Sequence, residues 1–393
     1  MYNATRDIIL PTTITGSLPR PKWFTQNLGP RSFLEAMMES AYREQYTDTV
    51  SAYLREQETA GLDICTDGDA HYDEQIGGQS WTSYPLFHMD GFDRHNPELS
   101  RMQTGGVGWP MGHILHDYLE ARVMPRITGP VGRGDLQYVE MWKTAQRLTA
   151  KPVKFGTIVP DLLAMAVQDD FYPDPVERLM ALSAAIHEEL TALADAGCPV
   201  IQIEEPPLHL IPGRGPVFDK LGMPELVEVF NETAKGLRDK TEVWCHTCWG
   251  NPSQQGVFSE VHSYQPALEH MNQLDADVIT FESCSTGHID IEAIGKTITD
   301  KKIAIGVINH RTLQVERPED VADGIRTALK HIPAERLVIS TDCGMGREGM
   351  SRRHARYKVV ALVQGTNIVR KELGLPEAEC LAADGRYSLV TEG

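Results

Sequence analysis

The segment WCHTCWG places His246 and Cys248 two residues apart. In an extended chain that spacing turns both side chains to one face. Glu282, in DVITFES, and Cys343, in ISTDCGMG, each follow a further apolar run. Two thiols, an imidazole and a carboxylate make a tetrahedral donor set suited to zinc. Zinc in such a site stabilises a thiolate, the nucleophilic form of sulfur, near neutral pH. An H-x-C pair alone is weak evidence, whereas a set whose members all end apolar runs is much stronger. The competing reading is a cysteine nucleophile, Cys343 with His246 as its base, but it leaves Cys248 and Glu282 without roles. Cys245 should face away from His246, and Cys284 lies beyond Glu282, so neither joins the set.

These residues are distant in sequence, so the fold must bring them together. Strand candidates run over 11–17, 62–68, 153–159, 199–204, 242–248, 277–283, 302–308 and 336–342. Most are near-continuous apolar runs ending in a polar residue, as expected of parallel strands buried on both faces. Helical periodicity fills the intervals. In 176–196, Leu179, Leu182, Ile186, Leu190 and Leu193 recur at helical spacing, and Gly197 follows as a C-cap. Eight strands alternating with helices predict an α/β protein, a single (β/α)8 TIM barrel spanning 1–393. No dinucleotide fingerprint follows any strand, which disfavours a doubly wound sheet. The C-terminal ends of barrel strands converge on one rim, where the four ligands can meet. The alternation breaks over 70–150, a Gly-, Trp-, His- and Pro-rich stretch. It reads as an insertion after the second strand, a lid with a hairpin around Arg122–Arg133; a dimerisation arm is the alternative.

Composition sets outer bounds. The 393 residues are 41% hydrophobic and 23% charged, enough for a sizeable core. A net charge of −18 argues against nucleic acid as a partner, since phosphate binding needs concentrated positive charge. No secretory signal and no membrane-length apolar window is present, and the seven cysteines follow no disulfide framework. The expectation is a reduced cytoplasmic protein acting on small molecules.

Six blocks carry a family resemblance: TTITGSLP (12–19), GLDICTDGD (61–69), IQIEEPPL (201–208), CHTCWG (245–250), DADVITFES (275–283) and ERLVISTDCGM (335–345). From about residue 10 to about residue 370 the chain resembles the catalytic barrel of cobalamin-independent methionine synthases, in a short single-barrel branch. The resemblance implies zinc held by His246, Cys248, Glu282 and Cys343, and methyl transfer from a methylated pterin to homocysteine or a related thiol. It also implies that Ser17, Asp69 and Glu204 bind the amino-acid part of the substrate. Here the acids read Asp69 and Glu204 where the family has Glu and Asp, so charge is kept while reach changes by a methylene at each.

Two departures widen the choice of substrate. The family's pterin-side Trp is absent from FGTIVPDLLAMAV, leaving Trp81, Trp109 or Trp249 as aromatics for a donor. The family's proton-donating His aligns with Arg311 in GVINHR, with His310 one position off. An arginine stays charged and cannot shuttle a proton, but it can grip an anion. Epoxyalkane:coenzyme M transferases resemble the same fold and zinc chemistry, and the run PRPKW at 19–23 fits that branch. A corrinoid methyl donor is a third option. A non-catalytic barrel with structural zinc is the contrasting class. Structural sites favour local Cys and His pairs with every position closed, so ligands drawn from separate strand ends favour an enzyme.

Overall fold

The computed structural model describes residues 3–72, 83–99, 123–204, 207–210, 221–250, 263–346 and 350–384. The first half runs α1 (Phe33–Met38), α2 (Ser40–Ala60), β1 (Cys65–Thr66), α3 (Ser83–His88), β2 (Asp90–Leu99), β3 (Val123–Gly132), α4 (Tyr138–Gln146), β4 (Val153–Ile158), α5 (Pro160–Ala166) and α6 (Pro175–Asp195). The second half adds β5 (Val200–Glu204), α7 (Met223–Ala234), β6 (Glu242–Thr247), α8 (Leu268–Met271), β7 (Val278–Phe281), α9 (Ile291–Thr297), β8 (Lys302–Gly306), α10 (Pro318–Leu329), β9 (Leu337–Ser340) and α11 (Arg352–Glu372).

Seven strands pair in parallel in the order β1-β4-β5-β6-β7-β8-β9, the curled sheet of a (β/α)8 fold with helices on its outer face. Eight strands were expected. The first, over 11–17, is instead a single bridge from Thr12 to Ile339, so the ladder itself does not close. Its backbone still touches both sheet edges: Thr13 N donates to Ile339 O at 3.0 Å and Ile64 N to Thr12 O at 3.1 Å. Thr12 N donates to the Asp63 carboxylate at 2.8 Å. That amide is therefore spent on a side chain rather than a ladder, which keeps the stretch from extending as a strand.

Alternation along the strands sorts two cores. Ile201, Ile203, Val243, Cys245, Ile279, Phe281, Ile303 and Ile305 pack with the helices. Ile64, Val200, Trp244, Val278, Ala304 and Val338 form a separate apolar cluster on the concave face. Two and four residues further along the same face come His246 and Cys248, Thr280 and Glu282, Gln202 and Glu204, and Ser340 and Asp342. Each of these four strands thus climbs from an apolar floor to a polar mouth. Beneath the floor, Glu242 accepts the backbone amides of Asn3, Ala4 and Thr5 at 3.0, 3.0 and 3.1 Å, which seals the other end.

The helices follow their sequence signals. Helix α6 starts at Asp174, whose carboxylate accepts Val176 N at 3.0 Å, and carries Pro175 in its first turn. It buries the expected Leu179–Leu193 stripe and ends at Gly197, where φ is +95°.

The hairpin of the insertion differs from expectation. Strand β3 covers most of Arg122–Arg133, but its antiparallel partner is β2, with the residues between them outside those described. The ribbon is fastened to the body. Ile127 N donates to Gln168 O at 3.0 Å, Asp170 N to Ile127 O at 2.9 Å, and Arg126 pairs with Asp170 at 3.0 Å. Arg133 pairs with the buried Glu189 of α6, which also accepts Tyr138 N at 2.6 Å. Among the described residues, no helix is long and apolar enough to cross a membrane.

Candidate metal centre

His246, near the end of β6, Cys248 just beyond it, and Cys343 just beyond β9 each bring one ligand atom to within 4.8 Å of the other two. The two sulfurs lie 3.5 Å apart. Thiolates sharing a tetrahedral zinc at about 2.3 Å each would sit roughly 3.8 Å apart, so the donors fit such an ion with little movement. The Thr280 hydroxyl engages His246 Nδ1, which directs Nε2 to any ion, in the manner of outer-shell partners that fix a ligand's tautomer. Burial, then Lys154, holds the His246 pKa well below its usual value, so the imidazole is neutral as a metal ligand must be. Gly250 N donates to Cys248 Sγ at 3.2 Å, an interaction that favours thiolate.

Glu282 behaves differently. Its carboxylate joins His310 and Asp342 in a second group, again within 4.8 Å. Arg311 Nε donates to Oε1 at 2.9 Å and Arg311 Nη2 to Oε2 at 3.4 Å, while Trp249 N reaches Oε2 at 2.6 Å. The Ser285 hydroxyl donates to Oε1. Arg311 also donates to Gly250 O at 3.0 Å. His310 is buried with Nε2 3.4 Å from Gly250 O, and burial lowers its pKa to about 4.

Asp342 is the structural hinge of this rim. It accepts the amides of Ser283, Cys284 and Ser285 at 2.8, 2.8 and 2.7 Å, tying the turn after Glu282 to the strand end bearing Cys343. A Cβ at Gly306 would lie 1.9 Å from Asp342 Oδ1, so that close approach requires glycine. Burial, then Glu282, pushes the Asp342 carboxyl up to about 7.

Ser17 sits between two of these loops. Its carbonyl accepts Met345 N at 2.8 Å and Gly346 N at 2.9 Å, just past Cys343, and Leu18 N donates to Gly68 O at 3.1 Å beside Asp69. Asp69 takes a left-handed φ of 54°, supported by its N–H to Asp67 Oδ1 at 3.0 Å. Glu204, at the end of β5, accepts Gln202 Nε2 at 2.6 Å, and a Cβ on Gly156 would crowd it at 3.1 Å. Trp249 is fully buried, its ring 4.8 Å from that of His209 and 4.9 Å from that of Tyr264. That places it within an aromatic core. Trp81 and Trp109 lie outside the described residues.

Sequence reasoning missed three buried groups. Lys154 points to the concave face, 4.6 Å over the Trp244 ring, and donates to Gln202 Oε1 at 2.7 Å; burial brings its pKa down to about 7. A lysine inside an otherwise apolar strand was the available signal. Asp161 is buried in α5 with neither carboxylate oxygen hydrogen-bonded among the described residues, and burial pushes its pKa up to about 7. Thr280 gave no signal, since threonine is ordinary in a strand.

Residues 103–366 match the family model described as "Cobalamin-independent synthase, Catalytic domain". A methionine synthase of Saccharolobus solfataricus is 28% identical over 371 residues, covering 93% of this chain and 96% of that protein. A 2-hydroxypropyl-CoM lyase of Xanthobacter autotrophicus is also 28% identical, over 395 residues, with the same coverage of 93% and 96%. The structure of a B12-independent methionine synthase from Shewanella sp. W3-18-1, in complex with selenomethionine, superposes with a TM-score of 0.74 at 25% identity. That match covers 93% of this chain and 99% of the other.

Proposed function

Because this chain belongs to the catalytic-domain family of cobalamin-independent synthases, whose members support a methyltransferase activity, we propose that it is a zinc-dependent thiol alkyltransferase. On this reading it moves a methyl group from a methylated pterin, 5-methyltetrahydrofolate, to homocysteine or a related thiol. The observation that carries it is the convergence of His246, Cys248 and Cys343 within 4.8 Å at the polar mouth of the sheet. Glu282 is the candidate fourth ligand. Zinc bound there would supply stabilisation of the substrate thiolate near neutral pH.

The chain's own residues do the rest. Thr280 orients His246, and Asp342 ties the Glu282 turn to the Cys343 strand end. Asp69 and Glu204 offer two carboxylates to a substrate ammonium, and Ser17 lies on the loop between Asp69 and Cys343. His310 and Arg311 stand beside Glu282, where a buried imidazole and a fixed cation can hold donor or acceptor groups. The 70–150 insertion is the proposed lid over the donor, with Trp81 and Trp109 as stacking candidates. The setting we propose is cytoplasmic.

A second reading draws on the 2-hydroxypropyl-CoM lyase, which is as similar as the methionine synthase. There the thiol is a sulfonate-bearing one such as coenzyme M, and an epoxide is the alkyl partner. A thiol screen separates the two: homocysteine, coenzyme M and glutathione, each with methyltetrahydrofolate, methylcobalamin or a short epoxide, reading zinc-dependent loss of free thiol. Alkylation of homocysteine, abolished in Cys248→Ser and Cys343→Ser, is expected. Turnover of none of these pairs by zinc-loaded protein would overturn the alkyltransferase reading.

A further inference from the structure

We propose that Arg311 competes with the metal for Glu282, so that His246, Cys248 and Cys343 carry the metal and Glu282 joins its shell against the pull of the arginine. The inference deepens the metal reading above and rests on it. A carboxylate has about four lone-pair sites. Glu282 has four donors on them: Arg311 Nε and the Ser285 hydroxyl on Oε1, Arg311 Nη2 and Trp249 N on Oε2. The carboxylate is therefore saturated by protein, and a metal can take an oxygen only by displacing one of these bonds.

The strength of that grip follows from burial and charge. Glu282 is fully buried and the Arg311 side chain is 17% exposed, so little solvent screens the pair. Arginine stays protonated across the ordinary pH range, so loss of its proton does not release the pair. Arg311 is itself braced by Gly250 O at 3.0 Å, and Gly250 N contacts Cys248 Sγ at 3.2 Å. The same short stretch thus fixes a metal-ligand candidate and the partner of the withheld carboxylate. Glu282 clusters with His310 and Asp342, whereas the two sulfurs and the imidazole form their own group.

The consequence is chemical. A zinc held by three protein ligands would keep a position for a substrate thiol, as catalytic rather than structural zinc sites do. A carboxylate able to alternate between a cation and the metal can occupy that position when no thiol is present. Metal affinity is therefore set partly by competition between Arg311 and the ion for the same oxygens.

The test is a zinc competition titration against a chromophoric chelator. It uses full-length wild type, Arg311→Gln, Glu282→Gln and the double variant, with folding checked by circular dichroism. Arg311→Gln is expected to bind zinc about tenfold or more tightly than wild type, the factor for losing a charge-assisted competitor. The gain should vanish in the Glu282→Gln background, because the two residues act through each other. Should the neutral variant misfold, Arg311→Lys keeps a charge but loses the two-point fork, and a smaller tightening is expected. If wild type binds zinc and both Arg311 variants bind it no more tightly, this inference alone is overturned, as it is by a gain that persists without Glu282. Wild type that binds no zinc overturns the metal reading and this inference with it.

Discussion

Asp69 and Glu204 are held in ways that ordinary surface acids are not. Asp69 keeps a left-handed backbone, uncommon for a residue with a Cβ, and Glu204 rests over Gly156 with one oxygen fixed by Gln202. If the substrate carries an ammonium, Asp69→Asn and Glu204→Gln should each raise its KM, by roughly 1.5–3 kcal/mol of lost charge-assisted hydrogen bonding. Steady-state kinetics with homocysteine check this, and unchanged KM in both variants removes the amino-acid pocket. With a sulfonate thiol neither acid should matter. Asp161 gives a separate prediction, about stability. Its folded-state pKa, near 7, lies above the unfolded value of about 3.9, so folding resists its ionisation. The penalty is absent below about pH 4, grows between pH 4 and 7, and is constant above. Asp161→Asn should therefore match wild type at pH 4 and be more stable by about 2–4 kcal/mol at pH 8. Equal melting temperatures at pH 8 would contradict it. The candidate ligands were legible because His246 and Cys248 share a face and Glu282 and Cys343 end apolar runs. The tie between Glu282 and Arg311 was not, because one-dimensional spacing says nothing about which neighbour a carboxylate chooses.

The elements show where local pattern suffices and where it fails. Strands β4 to β9 announce themselves as buried apolar runs, and α6 by its stripe, Asp174 cap and terminal Gly197. The 11–17 run had the same look, but Asp63 takes the Thr12 amide and the stretch contributes one bridge. The ribbon was misplaced for a different reason. The partner of β3 is β2, some thirty residues earlier, and no short turn signal joins them. The docking of β3 on α6 and its preceding loop fastens the ribbon to the body. The lid proposal expects homocysteine plus methyltetrahydrofolate to protect 70–150 from limited proteolysis. It also expects Trp81→Ala or Trp109→Ala to lower turnover with zinc content unchanged. A segment cut at the same rate with and without both ligands, in active enzyme, would rule the lid out.

At the scale of the whole molecule, the sheet separates stability from chemistry. One end is closed by Glu242 gathering the backbone of residues 3–5 over an apolar cluster. The other end gathers sulfur, imidazole and carboxylate from strands far apart in sequence, which is how barrel folds build active sites. On the proposed reading, a metal held by His246, Cys248 and Cys343 would receive the substrate's sulfur. Zinc X-ray absorption on the purified full chain tests it directly, alone and after adding homocysteine or coenzyme M. Two sulfurs at about 2.3 Å are expected without thiol, and a third at the same distance with one of the two thiols. A zinc shell with no cysteine sulfur, or one whose sulfur number neither thiol changes, would contradict it.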